Sequence, residues 1–212
     1  MKSCLALALS VIALIAACSS DSDDNSGTTS SSTSGAPPDA DAGPAVCSAD
    51  PTPPDVRNAS CAVTINTHAL QEPANKHVQV GTAVDYCTNP PSSGPHYFAW
   101  TSFGEFTQPV EWQYLVHSEE HGAVLLLYKC DPACPEIVEQ LREVKTRAPN
   151  DCGGNKRIII APAPSIPTKV AAAAWGKTLT ADCVDGPTFD EFVANNIAKG
   201  PEDICVPGQV FP

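Results

Sequence analysis

The sequence is poor in two kinds of side chain, and each shortage argues against a class of function. Met1 is the only methionine, which argues against a copper carrier that binds its ion through thioethers. Only 12 of the 212 residues are Lys or Arg, against 24 Asp and Glu, so the formal net charge is −12. Because nucleic-acid binding needs clustered basic side chains that contact phosphates, we expect no nucleic-acid partner.

The N-terminus also lacks an apolar run long enough to span a bilayer, which needs about 20 residues. The short apolar run over 5–17 instead predicts a signal peptide over 1–17. Small residues precede Cys18, a pattern typical of bacterial lipoproteins, so we expect cleavage before Cys18 and lipidation of its thiol. An ordinary signal peptide with an incidental cysteine is the alternative.

Residues 18–46 are rich in Ser, Thr, Gly, Asp and Pro and carry almost no large apolar side chain. Such a segment cannot bury enough surface to fold, so it predicts a disordered tether between a lipid anchor and a single globular domain over 47–212. Ser19 follows the predicted anchor and favours the outer membrane over the inner one. The expected location is therefore the bacterial cell envelope, on its periplasmic or outer surface.

Cysteine is abundant in the predicted domain. An even number in an exported protein predicts four disulfides and leaves their pairing open. The eight residues are Cys47, Cys61, Cys87, Cys130, Cys134, Cys152, Cys183 and Cys205. The spacing of Cys130 and Cys134 is one residue longer than the usual redox motif, and no second pair completes a zinc knuckle. A structural bridge is therefore favoured.

The pattern of apolar residues predicts an α+β fold, a small mixed sheet with two or more helices packed on it. Strands are expected over 123–129, 157–161 and 170–180, and helices over 135–147 and from Thr188 to Gly200. The alanines of 170–180 could equally be helical. Thr188 and Glu191 have the spacing of a capping box. The order of elements overlaps part of a thioredoxin-like topology, which is the alternative fold.

Four of the five histidines fall between His77 and His121. Imidazole binds borderline cations such as Cu²⁺ and Zn²⁺, and residues four apart, such as His117 and His121, project from one side of a helix. His96 follows a Pro- and Gly-rich segment that restricts the backbone. The pattern predicts a transition-metal site with ligands His96, His117 and His121, to which His77 and Glu120 contribute as further ligands or orienting groups.

The same histidine motifs resemble those of a known bacterial family. The residues that carry the resemblance are PPSSGPHY at 90–97, LVHSEEHGAV at 115–124, Ala174-Trp175-Gly176 and Gly200-Pro201-Glu202. Over about 70–204 the chain resembles the domain of unknown function 3105. The resemblance implies a secreted or membrane-anchored domain without an established function, and supports treating the four histidines as one site.

Two other functions remain open at this point. The segment from His117 to His121 matches H-x-x-E-H, in which two histidines bind zinc and the glutamate polarises water, so a zinc-dependent hydrolase is possible. Its third ligand could be Glu191, although the capping box explains that residue better. A structural or interaction lipoprotein, whose histidines only brace a loop, is the other alternative. The motif context favours a binding protein over an enzyme.

Overall fold

The computed structural model describes residues 42–131 and 133–209. The predicted signal peptide over 1–17, the predicted lipidation site Cys18 and most of the predicted tether lie outside this range. Where the predicted tether ends, Ala42 is buried against Val78 and Tyr97. Among the described residues, no helix is both long and apolar enough to cross a bilayer.

The described chain forms nine strands and three helices. Short strands come first: β1 (Asp55–Val56), β2 (Thr64–Thr67), β3 (His77–Val78), β4 (His96–Tyr97) and β5 (Gly104–Glu105). They are followed by α1 (Trp112–Glu120), β6 (Val124–Tyr128), α2 (Pro135–Arg147), β7 (Ile158–Pro162), β8 (Val170–Ala174), β9 (Lys177–Ala181) and α3 (Gly186–Asn196).

Seven of these strands form one mixed sheet in the order β1-β2-β9-β8-β6-β7-β5. β7 pairs in parallel with β6 and β5, whereas the remaining neighbours are antiparallel. The central strands β6 and β7 are buried on both faces, which explains why their sequences read as continuous Leu and Ile runs. α2 makes the crossover between them.

Helices cover both faces of the sheet. α2 and α3 pack on one face, where Leu141, Phe189 and Phe192 contact Leu126, Ile160 and other apolar residues of the sheet. α1 packs on the opposite face, where Leu115 joins a cluster with Leu125, Leu127 and Ile159. α1 is the helix that carries His117 and Glu120, so the candidate site is anchored to the rigid centre of the sheet.

The α+β prediction is confirmed, and the helix predicted over 135–147 has the same bounds in the structure. The alanine-rich segment forms the hairpin β8–β9, because its alanines lie against the buried strand β6. The inner strands, in the order β9-β8-β6-β7 with only β6 and β7 parallel, agree with the thioredoxin-like alternative, and two strands extend this sheet beyond β9 and one beyond β7.

The capping box predicted at Thr188 and Glu191 is wrong. The N-cap residue of α3 is Asp185. Pro187, two residues later, supplies the fixed backbone angle that favours a helix start. Thr188 lies within the first turn, and its hydroxyl donates to the Asp185 carboxylate. The Glu191 carboxylate lies 3.5 Å from the Arg57 guanidinium, and its helix α3 packs on the face of the sheet opposite α1.

All eight cysteines of the domain are paired, as predicted. The pairs are Cys47–Cys87, Cys61–Cys183, Cys130–Cys134 and Cys152–Cys205. Four disulfides indicate an extracytoplasmic location, because cytosolic thiols are kept reduced.

Candidate metal centre

His77 and His96 are brought together by a two-stranded parallel sheet separate from the main one. β3 pairs with β4 in a register that places His77 directly opposite His96. The Pro- and Gly-rich segment before His96 is buried, and Gln71 holds it in place, since the Gln71 backbone N–H donates to the Ser93 hydroxyl. At Gly94, whose φ is +118°, a side chain would meet the Gln71 amide, so glycine is required there.

His117 and Glu120 lie in the last turn of α1, and His121 follows it directly. His121 is the C-cap residue, and Gly122 follows with a φ of +77° that lets the chain turn into β6. The negative end of a helix dipole lies at this terminus, where it favours a cation. The local sequence therefore places two imidazoles and a carboxylate at a helix end suited to positive charge.

The Glu120 carboxylate lies at the centre of three imidazoles. Its Oε2 is 3.0 Å from His96 Nε2 and 3.8 Å from the Nε2 atoms of both His77 and His117. The ligand atoms of these four residues all lie within 4.8 Å of one another. Glu120, His96 and His117 are almost completely buried, while the His77 side chain is 28% exposed. The four could hold one metal ion.

Backbone carbonyls determine which nitrogen of each ring is free. His96 Nδ1 lies 2.8 Å from the Gly94 carbonyl oxygen, and His117 Nδ1 lies 2.6 Å from that of Tyr97. A carbonyl oxygen only accepts hydrogen bonds, so each Nδ1 carries the proton and donates it. In the neutral rings, the Nε2 atoms of His96 and His117 therefore carry lone pairs, and both lie beside Glu120. Two lone pairs and a carboxylate oxygen form a donor set that could hold a metal ion.

The protonation of the cluster agrees with this arrangement. Burial, together with the positive charges that His96 and His121 could carry, lowers the pKa of His117 to about 3. Burial also lowers the pKa of His77. Although burial opposes ionisation of Glu120, its hydrogen bond with His96 and the nearby imidazoles lower its pKa overall. At neutral pH, His77 and His117 are thus neutral and Glu120 is ionised, as metal ligands must be.

His121 contacts the same cluster from one side. Its Nε2 lies 2.8 Å from His117 Nε2, and its Nδ1 lies 3.1 Å from the Glu202 carbonyl oxygen. With Glu120 and the Glu202 carboxylate, His121 forms a second group whose ligand atoms lie within 4.8 Å of one another. Sequence reasoning did not include Glu202 among the ligands, because it lies far along the chain. Its place in the Gly200-Pro201-Glu202 motif was the available signal.

Aromatic rings surround the imidazoles. The Trp100 ring centroid is 5.0 Å from that of His117 and 4.6 Å from that of His121. Phe98 stacks on His77 at 4.9 Å and is itself 67% exposed. These rings lower the local dielectric constant and leave His77 as the most accessible of the four histidines.

Glu119, adjacent to Glu120, belongs to neither group of ligands. It is fully buried, and neither of its carboxyl oxygens has a hydrogen-bond partner among the described residues. Burial raises its pKa well above the ordinary value, which favours the protonated form. The surroundings of the two neighbouring glutamates therefore shift their pKa values in opposite directions.

His68, which the sequence left outside the cluster, also lies apart in the structure. Its Nδ1 is 3.0 Å from Asp50 Oδ2 and its Nε2 is 2.8 Å from the Thr178 hydroxyl, beside a cleft of about 410 Å³. Both ring nitrogens are occupied by these contacts, which explains His68 as a hydrogen-bonded residue of the scaffold.

Comparison with known proteins is informative at the family level. Residues 77–206 match the family model described as "Protein of unknown function (DUF3105)". No curated protein and no solved structure matches the chain. The matched range includes the four clustered histidines, Glu120 and Glu202, so the whole candidate site lies within the family domain.

Proposed function

Because this chain belongs to the DUF3105 family, whose function is not established, we propose that it binds a transition-metal ion in the bacterial cell envelope. The proposed ligands are His77, His96, His117 and Glu120, with His121 beside them. The ion is Cu²⁺ or Zn²⁺, and the protein acts as a binding protein for it.

One observation carries the proposal: three imidazoles converge on the buried Glu120 carboxylate. Its Oε2 lies 3.0 Å from His96 Nε2 and 3.8 Å from the Nε2 atoms of His77 and His117. A buried cluster of acceptors is costly without a cation, and a metal ion satisfies all of them at once.

The kind of donor limits the choice of metal. Imidazole nitrogens and one carboxylate oxygen suit Zn²⁺ and Cu²⁺, which are borderline cations. Thioether ligands are absent after Met1, and the eight cysteines of the domain are committed to disulfides. Groups that orient the ligands are also present, since the Gly94 and Tyr97 carbonyls accept hydrogen bonds from the His96 and His117 rings.

We place the protein on the membrane through its N-terminus. The lipoprotein-like pattern at Cys18 and the polar composition of 18–46 support a lipid anchor followed by a tether. Ser19 supports the outer membrane. The disulfides of the domain agree with a location outside the cytoplasm.

The position of Glu120 favours binding over zinc-dependent hydrolysis. In H-x-x-E-H enzymes the glutamate activates water beside the metal, whereas Glu120 is buried and bonded to His96 among the proposed ligands. α1 also ends at Glu120, so His121 lies outside the regular helix that the enzyme motif requires.

Metal analysis of the exported chain tests the proposal. We expect stoichiometric Cu or Zn in the wild type and loss of the ion from the His117→Ala/His121→Ala variant. His68→Ala is the matched control, since it removes a histidine outside the cluster. Glu120→Gln should weaken binding, while Glu119→Gln, an identical change at the neighbouring residue that belongs to neither group of ligands, should not.

Two results would contradict the proposal. A folded wild-type chain that binds neither ion, with stability unaffected by a chelator, would support a purely structural role for the histidines. Peptidase activity that Glu120→Gln abolishes without loss of the metal would instead support the hydrolase.

A further inference from the structure

The group formed by Glu120, His121 and Glu202 shares only Glu120 with the ligands of the ion proposed above. Its three ligand atoms lie within 4.8 Å of one another. The distance from His121 Nδ1 to Glu202 Oε2 is 3.7 Å. Glu120 belongs to both groups, and a carboxylate has two oxygens and about four lone-pair sites, enough for two cations.

Both ring nitrogens of His121 face hydrogen-bond acceptors. Its Nδ1 faces the Glu202 carbonyl oxygen, and its Nε2 faces His117 Nε2. Both neighbours are acceptors, because the proton of His117 is on Nδ1, where it is donated to Tyr97. A neutral imidazole has only one N–H, so its other nitrogen keeps a lone pair that a metal ion could accept.

The segment that carries Glu202 is held firmly against the end of α1. The Glu202 backbone N–H donates to the Glu120 carbonyl at 3.0 Å, and Ala198 donates to Gly122 at 2.8 Å. Gly200 packs so closely on the Glu120 carbonyl that a side chain could not fit there. Glu202 is thus positioned beside the cluster by the fold, even though its side chain is 55% exposed.

Buried Arg157 and a disulfide hold this segment from the other side. Arg157 is fully buried, and its guanidinium lies 2.6 Å from the Asp203 carboxylate and 2.8 Å from the His121 carbonyl. The Cys152–Cys205 disulfide then ties the segment to the chain before β7. Because both Arg157 and a disulfide hold this short segment, the fold itself fixes the position of Glu202 beside the cluster.

From this geometry we infer a dinuclear centre in which Glu120 bridges two divalent cations. The inner ion is bound by His77, His96 and His117, and the outer ion by His121 and Glu202. The outer site has one imidazole and two carboxylates, a harder donor set than the inner site, so it favours Zn²⁺ or Mn²⁺ over Cu⁺. This inference rests on the proposed function, with which it shares Glu120.

Counting the ions tests the inference. The exported chain is saturated with Zn²⁺, passed through a desalting column and analysed for metal per chain. We expect two ions in the wild type and one in Glu202→Gln, a twofold drop. Glu136→Gln, at an exposed glutamate in the first turn of α2, is the matched control and should retain two.

A second measurement uses the wild type alone and so does not depend on the folding of a variant. Two Cu²⁺ ions that share a carboxylate couple magnetically, so the integrated paramagnetic resonance signal of the Cu²⁺-saturated protein should fall well below its copper content. One ion in the wild type, or two ions in Glu202→Gln, would overturn the dinuclear centre and leave the proposed function standing. A wild type without bound metal would overturn both.

Discussion

The Nε2 atoms of His117 and His121 lie 2.8 Å apart at the C-terminal end of α1. Residues four apart on a helix share one face, so this approach is a direct consequence of the sequence spacing. His77 and His96 reach the same place from the separate two-stranded sheet of β3 and β4. A metal bound here would join segments that are distant along the chain, and such binding should have a measurable effect on stability.

Adding Zn²⁺ to the metal-free protein should raise its melting temperature. Only the folded state assembles the ligands, so at 100 times Kd the ion stabilises the fold by about 2.7 kcal/mol. For a chain of this size, that corresponds to roughly 5–10 °C. Thermal unfolding followed by circular dichroism, with and without Zn²⁺, measures the shift. The His117→Ala/His121→Ala variant should show almost none, and an equal rise in that variant would contradict the site.

Acidification should destabilise the metal-free protein. The pKa of His117 falls from 6.5 to about 3 on folding, so between these values the unfolded chain binds a proton that the folded chain does not. The contribution is zero above pH 6.5 and grows by about 1.4 kcal/mol per pH unit below it, reaching roughly 2 kcal/mol at pH 5. Urea unfolding at pH 7.5 and at pH 5 measures the loss.

The His117→Asn variant provides the comparison for the pH experiment, because it lacks the titrating ring. It should lose less stability between the two pH values than the wild type. The lowered pKa of His77 acts in the same direction over this pH range, so some acid sensitivity remains. Equal sensitivity in both proteins would show that His117 is not the group responsible.

Replacing Glu119 by Leu should stabilise the fold. The wild-type side chain is a fully buried acid whose oxygens have no partner among the described residues. Removal of an unsatisfied buried polar group recovers about 1–3 kcal/mol. Chemical denaturation of the variant measures the gain, and its metal content should equal that of the wild type. A loss of metal would show that Glu119 also contributes to the site.

The turn at Gly122 should tolerate no side chain. Its φ is +77°, and a Cβ there would lie 2.7 Å from the Ala198 Cα. Gly154 has nearly the same φ, +78°, but open space around it. Gly154→Ala should cost about 1 kcal/mol from backbone strain alone, and Gly122→Ala clearly more. Denaturation midpoints of the two variants compare them, and equal losses would mean that the contact with Ala198 is unimportant.

The disulfides should differ widely in their effect on stability. In the chain-entropy account, longer loops lose more freedom when they are closed, and the sequence separations are 122 for Cys61–Cys183 and 4 for Cys130–Cys134. Replacing both members of the first pair by Ala should therefore cost about 3 kcal/mol more than the same change in the second pair. Guanidinium unfolding under non-reducing conditions measures the difference.

The sequence predicted the central elements well because their signals are local. The Leu run of β6 and the face pattern of α2 depend only on neighbouring residues, and both elements appear where they were expected. The start of α3 was predicted wrongly, because the Thr188 hydroxyl bonds to Asp185 instead of capping a helix. The disulfide pairing was beyond prediction, since it depends on contacts between distant segments.

The candidate site shows the same difference between features set by local sequence and features set by contacts between distant segments. Helical spacing alone brings His117, Glu120 and His121 together, whereas His77 and His96 meet through strand pairing that no local pattern reveals. Glu202 reaches the cluster only because the chain after α3 folds back over the end of α1. Its proximity is a tertiary feature and could not be inferred from spacing.

The Cys152–Cys205 link has a consequence for the maturation of the protein. It holds the segment of Glu202, and such links close only after a chain has left the reducing cytosol. The outer cation would then bind last, after the Cys152–Cys205 disulfide has formed and positioned Glu202. A newly made chain still in the cytosol would lack the complete outer site, so it would have to bind the outer cation after export, from its new surroundings.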